Sequence, residues 1–210
     1  MPTTHTSTDS KGKQVAILVT DGFEQAEFAK PKEKLEQEGY VTKVISNLGG
    51  SVQGFNHFDK ADQFKVDMTF AEADPDDFDG VLLPGGVANG DQMRGIEEAQ
   101  QFVQKIDAAG KPIFVICHGG WVLVSAGLVK DRTMTSWPTL KDDIRNAGGT
   151  WKDEKVIVDK NWVSSRKPDD IPAFNEKMIE ALGATKASSN NSADEKQASA
   201  GAATRVPQTH

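Results

Sequence analysis

Four short apolar runs, each stopped by a polar or glycine-rich turn, constrain this chain more than any other feature. They are QVAILV (14–19), YVTKVIS (40–46), GVLLPGG (80–86) and PIFVICHGG (112–120). A run of four to six apolar, β-branched residues without polar alternation is the pattern of a strand buried on both faces. Helical patterns fall between the runs, over 24–38 with a break at Pro31, 96–109 and 120–129, and later over 138–147 and 170–182. Strands alternating with helices predict an α/β fold, a mainly parallel sheet with helices on both faces. FKVDMTF (64–70), after a glycine-containing loop, and KVIVDKNWVSS (155–165), which reads as a hairpin turning at 159–161, are expected at the sheet edges.

The 210 residues suit one such domain. The first dozen residues are rich in Thr and Ser, and 184–210 carry almost no large apolar side chain. Both are expected to be disordered, which leaves 13–183 for the domain, without an internal repeat. The tails also dilute the hydrophobic fraction to 37%. A net charge of −7, a pI of about 5.1 and the lack of a basic run argue against nucleic acid or anionic membrane as a partner. No stretch approaches a membrane span or a signal peptide. One cysteine forms no internal disulfide and no thiolate zinc site, so a cytoplasmic protein without metal or cofactor is expected.

That cysteine, Cys117, ends the fourth run and is followed by His118, Gly119 and Gly120. A thiol titrates at about 8.5 and becomes an effective nucleophile where something stabilises its thiolate, as a helix N-terminus does. A sharp strand-to-helix turn places Cys117 there, and small residues behind a nucleophile permit such a turn. The thiol is therefore expected to be largely ionised; the alternative is a buried structural cysteine. Of four histidines, His5 and His210 lie in the tails and His57 in a loop read as distant, which leaves His118. A papain-like enzyme would need a histidine well downstream, and the folded part has none. Adjacent residues at a turn point apart, so His118 is expected to face a partner other than the sulfur, or merely to pack.

Acids stand at the first strand-helix junction, TDGFEQAE. Asp21 and Glu24 have the spacing of a capping box, which gives Glu24 a structural role beside a catalytic one. Glu27, one turn on, has no such explanation, and as a protonated acid it could hydrogen-bond the Cys117 sulfur. In LLPGGVANGD, Gly85 and Gly86 either leave backbone N–H groups free as an oxyanion hole or form a plain turn. DPDDFD (74–79) reads as a solvated loop, since hard-cation loops need other spacings.

In this order, DGFEQAEF, FDGVLLPGG, GKPIFVICHGGWVLVSAG, TSWPTLKDDIRNAGG and VSSRKPDDIPAF resemble the PfpI-type intracellular proteases of the DJ/PfpI superfamily, over about residues 13–183. The resemblance implies a flavodoxin-like, class I glutamine amidotransferase-like sandwich. It implies a reactive elbow cysteine at Cys117 with its acid partner at Glu27, and backbone donors near Gly86 and Gly119. It also implies a homodimer or larger homo-oligomer, in which Asp91 of a neighbouring subunit is the matching acid for His118; the alternative is a surface Asp91 capping a helix. Many relatives have proline where this chain has Gly120. Family members are described as proteases, as glutathione-independent glyoxalases, as deglycases and as stress-response proteins. The expectation is thus an enzyme acting on a small aldehyde or a glycated protein. A cysteine peptidase acting on peptides is the enzymatic alternative, and a non-catalytic redox sensor or holdase chaperone the alternative of another class.

Overall fold

Residue-by-residue alternation within the apolar runs sorts them between two cores. A computed structural model of the chain describes residues 12–183, so the two tails lie outside the described residues. In β1 (Gln14–Leu18), Val15 and Ile17 face one hydrophobic cluster and Ala16 and Leu18 the other. In β7 (Gly80–Leu83) and β8 (Ile113–Ile116), Leu82, Phe114 and Ile116 join the first cluster, and Val81, Leu83, Ile113 and Val115 the second. Both faces are buried, so every position in the run must be apolar.

The sheet, seven strands among the described residues, runs β11-β12-β8-β7-β1-β3-β6. Here β3 is Val41–Ser46, β6 Met68–Thr69, β11 Val156–Asp159 and β12 Trp162–Ser165. All neighbours pair in parallel except the β11/β12 hairpin. The first cluster is covered by α1 (Gln25–Gln37), through Phe28 and Leu35, and by the last helix, α6 (171–183), through Phe174, Met178 and Leu182. The second is covered by α3 (Glu97–Ala108), α4 (Gly120–Ser125) and α5 (Lys141–Asn146). This is the expected three-layer, flavodoxin-like α/β sandwich, with β6 and the β11/β12 hairpin at its edges.

The chain leaves β1 toward β3 on one side and returns to β7 on the other, so the strand order reverses between β1 and β7. Outside the carboxyl ends of strands at such a reversal the connections diverge and leave a crevice. The loops after β1, β7 and β8 meet there.

Several local expectations are corrected. Residues 47–63 are largely a hairpin: β4 (Ser51–Asn56) and β5 (Asp59–Lys65) form a second sheet with β2 (Phe23–Glu24). Residues 64–70 are accordingly divided between β5 and β6. Helix α1 runs through Pro31 unbroken, at the loss of one backbone donor. Asp21 and Glu24 form no capping box: Glu24 is itself the N-cap of α1 and makes no side-chain cap bond. Instead Asp21 Oδ1 accepts from Gln53 N at 2.8 Å and Glu24 Oε2 from His57 N at 3.0 Å. Gln25 exchanges two hydrogen bonds with Asp62. Three side chains at the start of α1 thus clamp the hairpin, and His57, at its tip, has Nδ1 3.7 Å from Glu24 Oε2.

At the opposite end of the sheet, Asp107 Oδ1 accepts from Arg132 Nη2 at 2.8 Å, Asn161 Nδ2 at 3.0 Å and Trp162 Nε1 at 2.7 Å. Arg132 also lies over the Trp162 ring, 4.4 Å from its centroid. One carboxylate therefore satisfies three buried or half-buried donors joining α3 to the edge hairpin. Asp107→Ala leaves all three without that acceptor and is expected to cost about 3 kcal/mol. Urea denaturation reads this as a lower midpoint with an unchanged slope; a midpoint equal to the parent's would show the cluster to be dispensable.

Candidate active site

Alternation carries Ile116 toward α1 and would carry the next residue to the other face, but it breaks at Cys117. This residue has φ +60 and clusters with the α1-side residues. Positive φ is unfavourable for a side-chain-bearing residue and persists only where packing enforces it. Behind the turn, a Cβ at Gly119 would lie 2.3 Å from the carbonyl of Leu83, so the elbow closes only over a glycine. A Cβ at Gly120 would meet nothing nearer than Leu140 Cδ2 at 3.3 Å, and its φ of −60 suits any residue. A short 3-10 turn (Cys117–Gly119) leads into α4, and Trp137 N donates to the Cys117 carbonyl at 3.4 Å.

Glu27 enters from α1 and is fully buried. Its Oε2 accepts from Gly85 N at 3.0 Å, while Oε1 is buried without a hydrogen-bonded N or O partner. The carboxyl interacts with the Cys117 side chain. Gly85 stands between the two: a Cβ there would lie 2.3 Å from Glu27 Oε2 and 2.6 Å from Cys117 Cβ. Its N–H is therefore engaged by Glu27 and is not free for an oxyanion. The N–H groups that act on the sulfur belong to Gly86 and His118. Gly86 has φ +91, and a Cβ there would sit 2.4 Å from the Gly22 carbonyl.

Burial pushes the Glu27 carboxyl up to about 8; the charge of Glu24 adds to the rise, and the hydrogen bonds with Cys117 and Gly85 oppose it. Burial likewise pushes the Cys117 thiol up, and a charge on Glu27 would push it further, against the pull of the His118 and Gly86 N–H groups. The resting state is thus a neutral acid beside a thiol, contrary to the ionised thiol expected from the turn alone. Burial decides this, because the pocket disfavours any charge and two most of all.

His118 is 7% exposed, and its Nδ1 lies 3.2 Å from Cys117 Sγ, so the ring does reach the sulfur. Its ring centroid is 5.1 Å from that of Trp121 and 5.9 Å, stacked, from that of Trp137. Burial pulls the imidazole down to about 4, leaving a neutral ring at neutral pH. Trp121 is held by Asp143, and Arg94 lies over its ring. Sequence reading missed both indoles, which stand three and nineteen residues past His118; only the packed elbow brings them together. Asp91 is exposed on α2 (Val87–Arg94), one residue past Gly90, which packs on His118; it lies within α2 and not at its N-cap. Among the described residues no group of three or more His, Cys, Asp or Glu could hold a metal ion.

Comparison with known proteins gives concordant results. The model described as the DJ-1/PfpI family matches residues 13–181. The chain is 41% identical over 169 residues to Deglycase TK1284 of Thermococcus kodakarensis, covering 80% of this chain and 99% of that protein. It is 37% identical over 175 residues to Protein/nucleic acid deglycase 2 of Escherichia coli, covering 82% and 99% respectively. Among solved structures, Drosophila melanogaster DJ-1beta superposes with a TM-score of 0.74 at 26% identity, over 81% of this chain and 90% of that one.

The buried carboxyl gives stability a pH dependence of definite sign. An unfolded glutamate titrates at about 4.3 and the folded Glu27 at about 8. The stability it contributes is complete below the first value and is lost as pH climbs through the second. Glu27→Gln, neutral throughout, is expected to gain on the parent by on the order of 1 kcal/mol per pH unit across that window, levelling off above it. Urea denaturation at a series of pH values measures the difference, and a difference independent of pH would mean a hydrated, ionised carboxyl.

Proposed function

The chain belongs to the DJ-1/PfpI family, and from that membership and the geometry of Cys117 we propose that it is a cysteine-dependent enzyme acting on reactive dicarbonyls and their early adducts with proteins. The observation that carries the reading is a buried, neutral Glu27 in contact with a thiol whose other neighbour is a neutral imidazole. Such a set passes protons at an adding sulfur without building up charge.

For a 2-oxoaldehyde, His118 Nδ1 takes the thiol proton as Sγ bonds to the aldehyde carbon. The C=O π pair moves to oxygen, which accepts a proton from Glu27, and a hemithioacetal results. Glu27, now a carboxylate, removes the hydrogen from that carbon; the electrons shift onto the ketone oxygen, which takes the proton held on His118, and an enediol results. Glu27 returns its proton to the adjacent carbon while the hydroxyl on the sulfur-bearing carbon gives its proton to His118, which leaves a thioester. Water displaces the thiol and releases a 2-hydroxy acid, so the sequence consumes one water and needs no redox partner. The N–H groups of Gly86 and His118 favour negative charge on sulfur and serve the adjoining oxyanion. Deglycation uses the same opening step on the carbonyl carbon of a protein-bound adduct. The relatives named as deglycases support the reading. Within one subunit the ring contacts of His118 are a sulfur and two indoles rather than an orienting carboxylate, so a peptidase would depend on an acid from a neighbouring subunit. The exposed position of Asp91 suits the expected pairing with His118 across a subunit boundary in a homo-oligomer.

Turnover of methylglyoxal tests the proposal. Cys117→Ala is expected to abolish it and Glu27→Gln to lower kcat by about 100-fold or more. Glu24→Gln, which loosens a clamp on the hairpin and removes a charge that adds only secondarily to the rise at Glu27, is expected to keep most of the rate. No turnover by the parent above the uncatalysed rate would leave the non-catalytic sensor or chaperone reading, and turnover by Cys117→Ala at the parent's rate would remove Cys117 as the nucleophile. The profile of kcat/KM against pH is expected to be a bell, falling below about 4 as His118 takes a proton and above about 8 as Glu27 loses one.

A further inference from the structure

Asn89 is a buried polar side chain at the strand reversal that the chemistry above does not use. It lies in the first turn of α2 and is 1% exposed. Its Nδ2 donates to the carbonyls of Pro84 at 3.0 Å and Gly85 at 3.1 Å. Its Oδ1 accepts from Thr20 N at 2.8 Å and, more weakly, from Thr20 Oγ1 at 3.4 Å. One amide therefore bridges the end of β1 and the loop after β7, the two segments that diverge at the crevice. The group must offer donors on one side and an acceptor on the other, which an amide does and a carboxylate or an alkyl group does not.

The loop it holds carries the two N–H groups nearest the chemistry. Gly85 N reaches Glu27 Oε2 at 3.0 Å, and Gly86 N acts on the Cys117 sulfur. Neither glycine has a side chain to lock the loop by packing. We propose that Asn89 is a positioning residue for the reaction at Cys117, holding the Pro84–Gly86 loop where its N–H groups reach Glu27 and the sulfur together. The inference rests on the reading of Cys117 as the nucleophile. Donors that stabilise developing charge act only within narrow limits of distance, so a loosened loop costs rate without loss of substrate affinity.

Two variants and two readouts test it. Asn89→Ala removes both ends of the bridge; Asn89→Asp keeps an acceptor for Thr20 N–H but turns an oxygen toward the two carbonyls. In both, the pH midpoint of Cys117 alkylation by iodoacetamide is expected to rise, and kcat for methylglyoxal to fall about 10- to 100-fold with KM within about twofold. A lowered melting temperature with the parent's alkylation midpoint and kcat would assign Asn89 to stability alone and overturn the inference. If Asn89→Ala does not fold, Asn89→Asp is judged by the same criterion. The alkylation readout keeps the two proposals separable. Retention of turnover by Cys117→Ala would remove the catalytic reading, while an unmoved alkylation midpoint in the Asn89 variants would remove this one.

Discussion

The site depends on a single close approach, that of the Glu27 carboxyl to Cys117 across Gly85. A methyl group at position 85 would lie 2.3 Å from one and 2.6 Å from the other, so the three residues are mutually exclusive with anything larger. This packing keeps water from the carboxyl, and the loss of water keeps its proton in place. The buried acid is costly to the fold unless it stays neutral. That neutrality is what allows it to donate to a sulfur or a developing alkoxide.

The surrounding architecture serves that approach. β1 and β7 part at the strand reversal, which frees the loop after β7 to run beneath α1, and the elbow after β8 turns Cys117 out of its strand alternation to meet it. His118 is packed against Trp121 and Trp137 and stays neutral for the same reason as Glu27. The β4/β5 hairpin, tied down through Asp21, Glu24 and Gln25, fixes the start of the helix that delivers Glu27. A pocket that resists charge on every member holds no stable ion pair.

The legibility of these features in the sequence follows their physics. Strands buried on both faces must be apolar at every position, so β1, β7 and β8 stand out, and glycines at 85, 86 and 119 mark places where backbone or side chains crowd. The β4/β5 hairpin did not stand out because β5 is largely exposed and polar, and its pairing with β4 slips in register between Gln53 and Phe55. The capping-box spacing of Asp21 and Glu24 was real but unused. Hydrogen bonds to Gln53 and His57, 32 and 33 residues away, won over the local ones.

The amino-acid order alone therefore determined the layered α/β fold, the place of Cys117 at a strand end and the candidacy of Glu27 and His118, because these rest on local patterns of burial and turn formation. The tertiary structure alone decided protonation and partnership: that Cys117 is a buried thiol, that Glu27 keeps its proton, that His118 reaches the sulfur between two indoles, and that Asn89 spans β1 and the loop after β7. Each of these depends on how much water a site retains and on which distant groups fill the space it leaves, quantities that exist only once the strands have assembled.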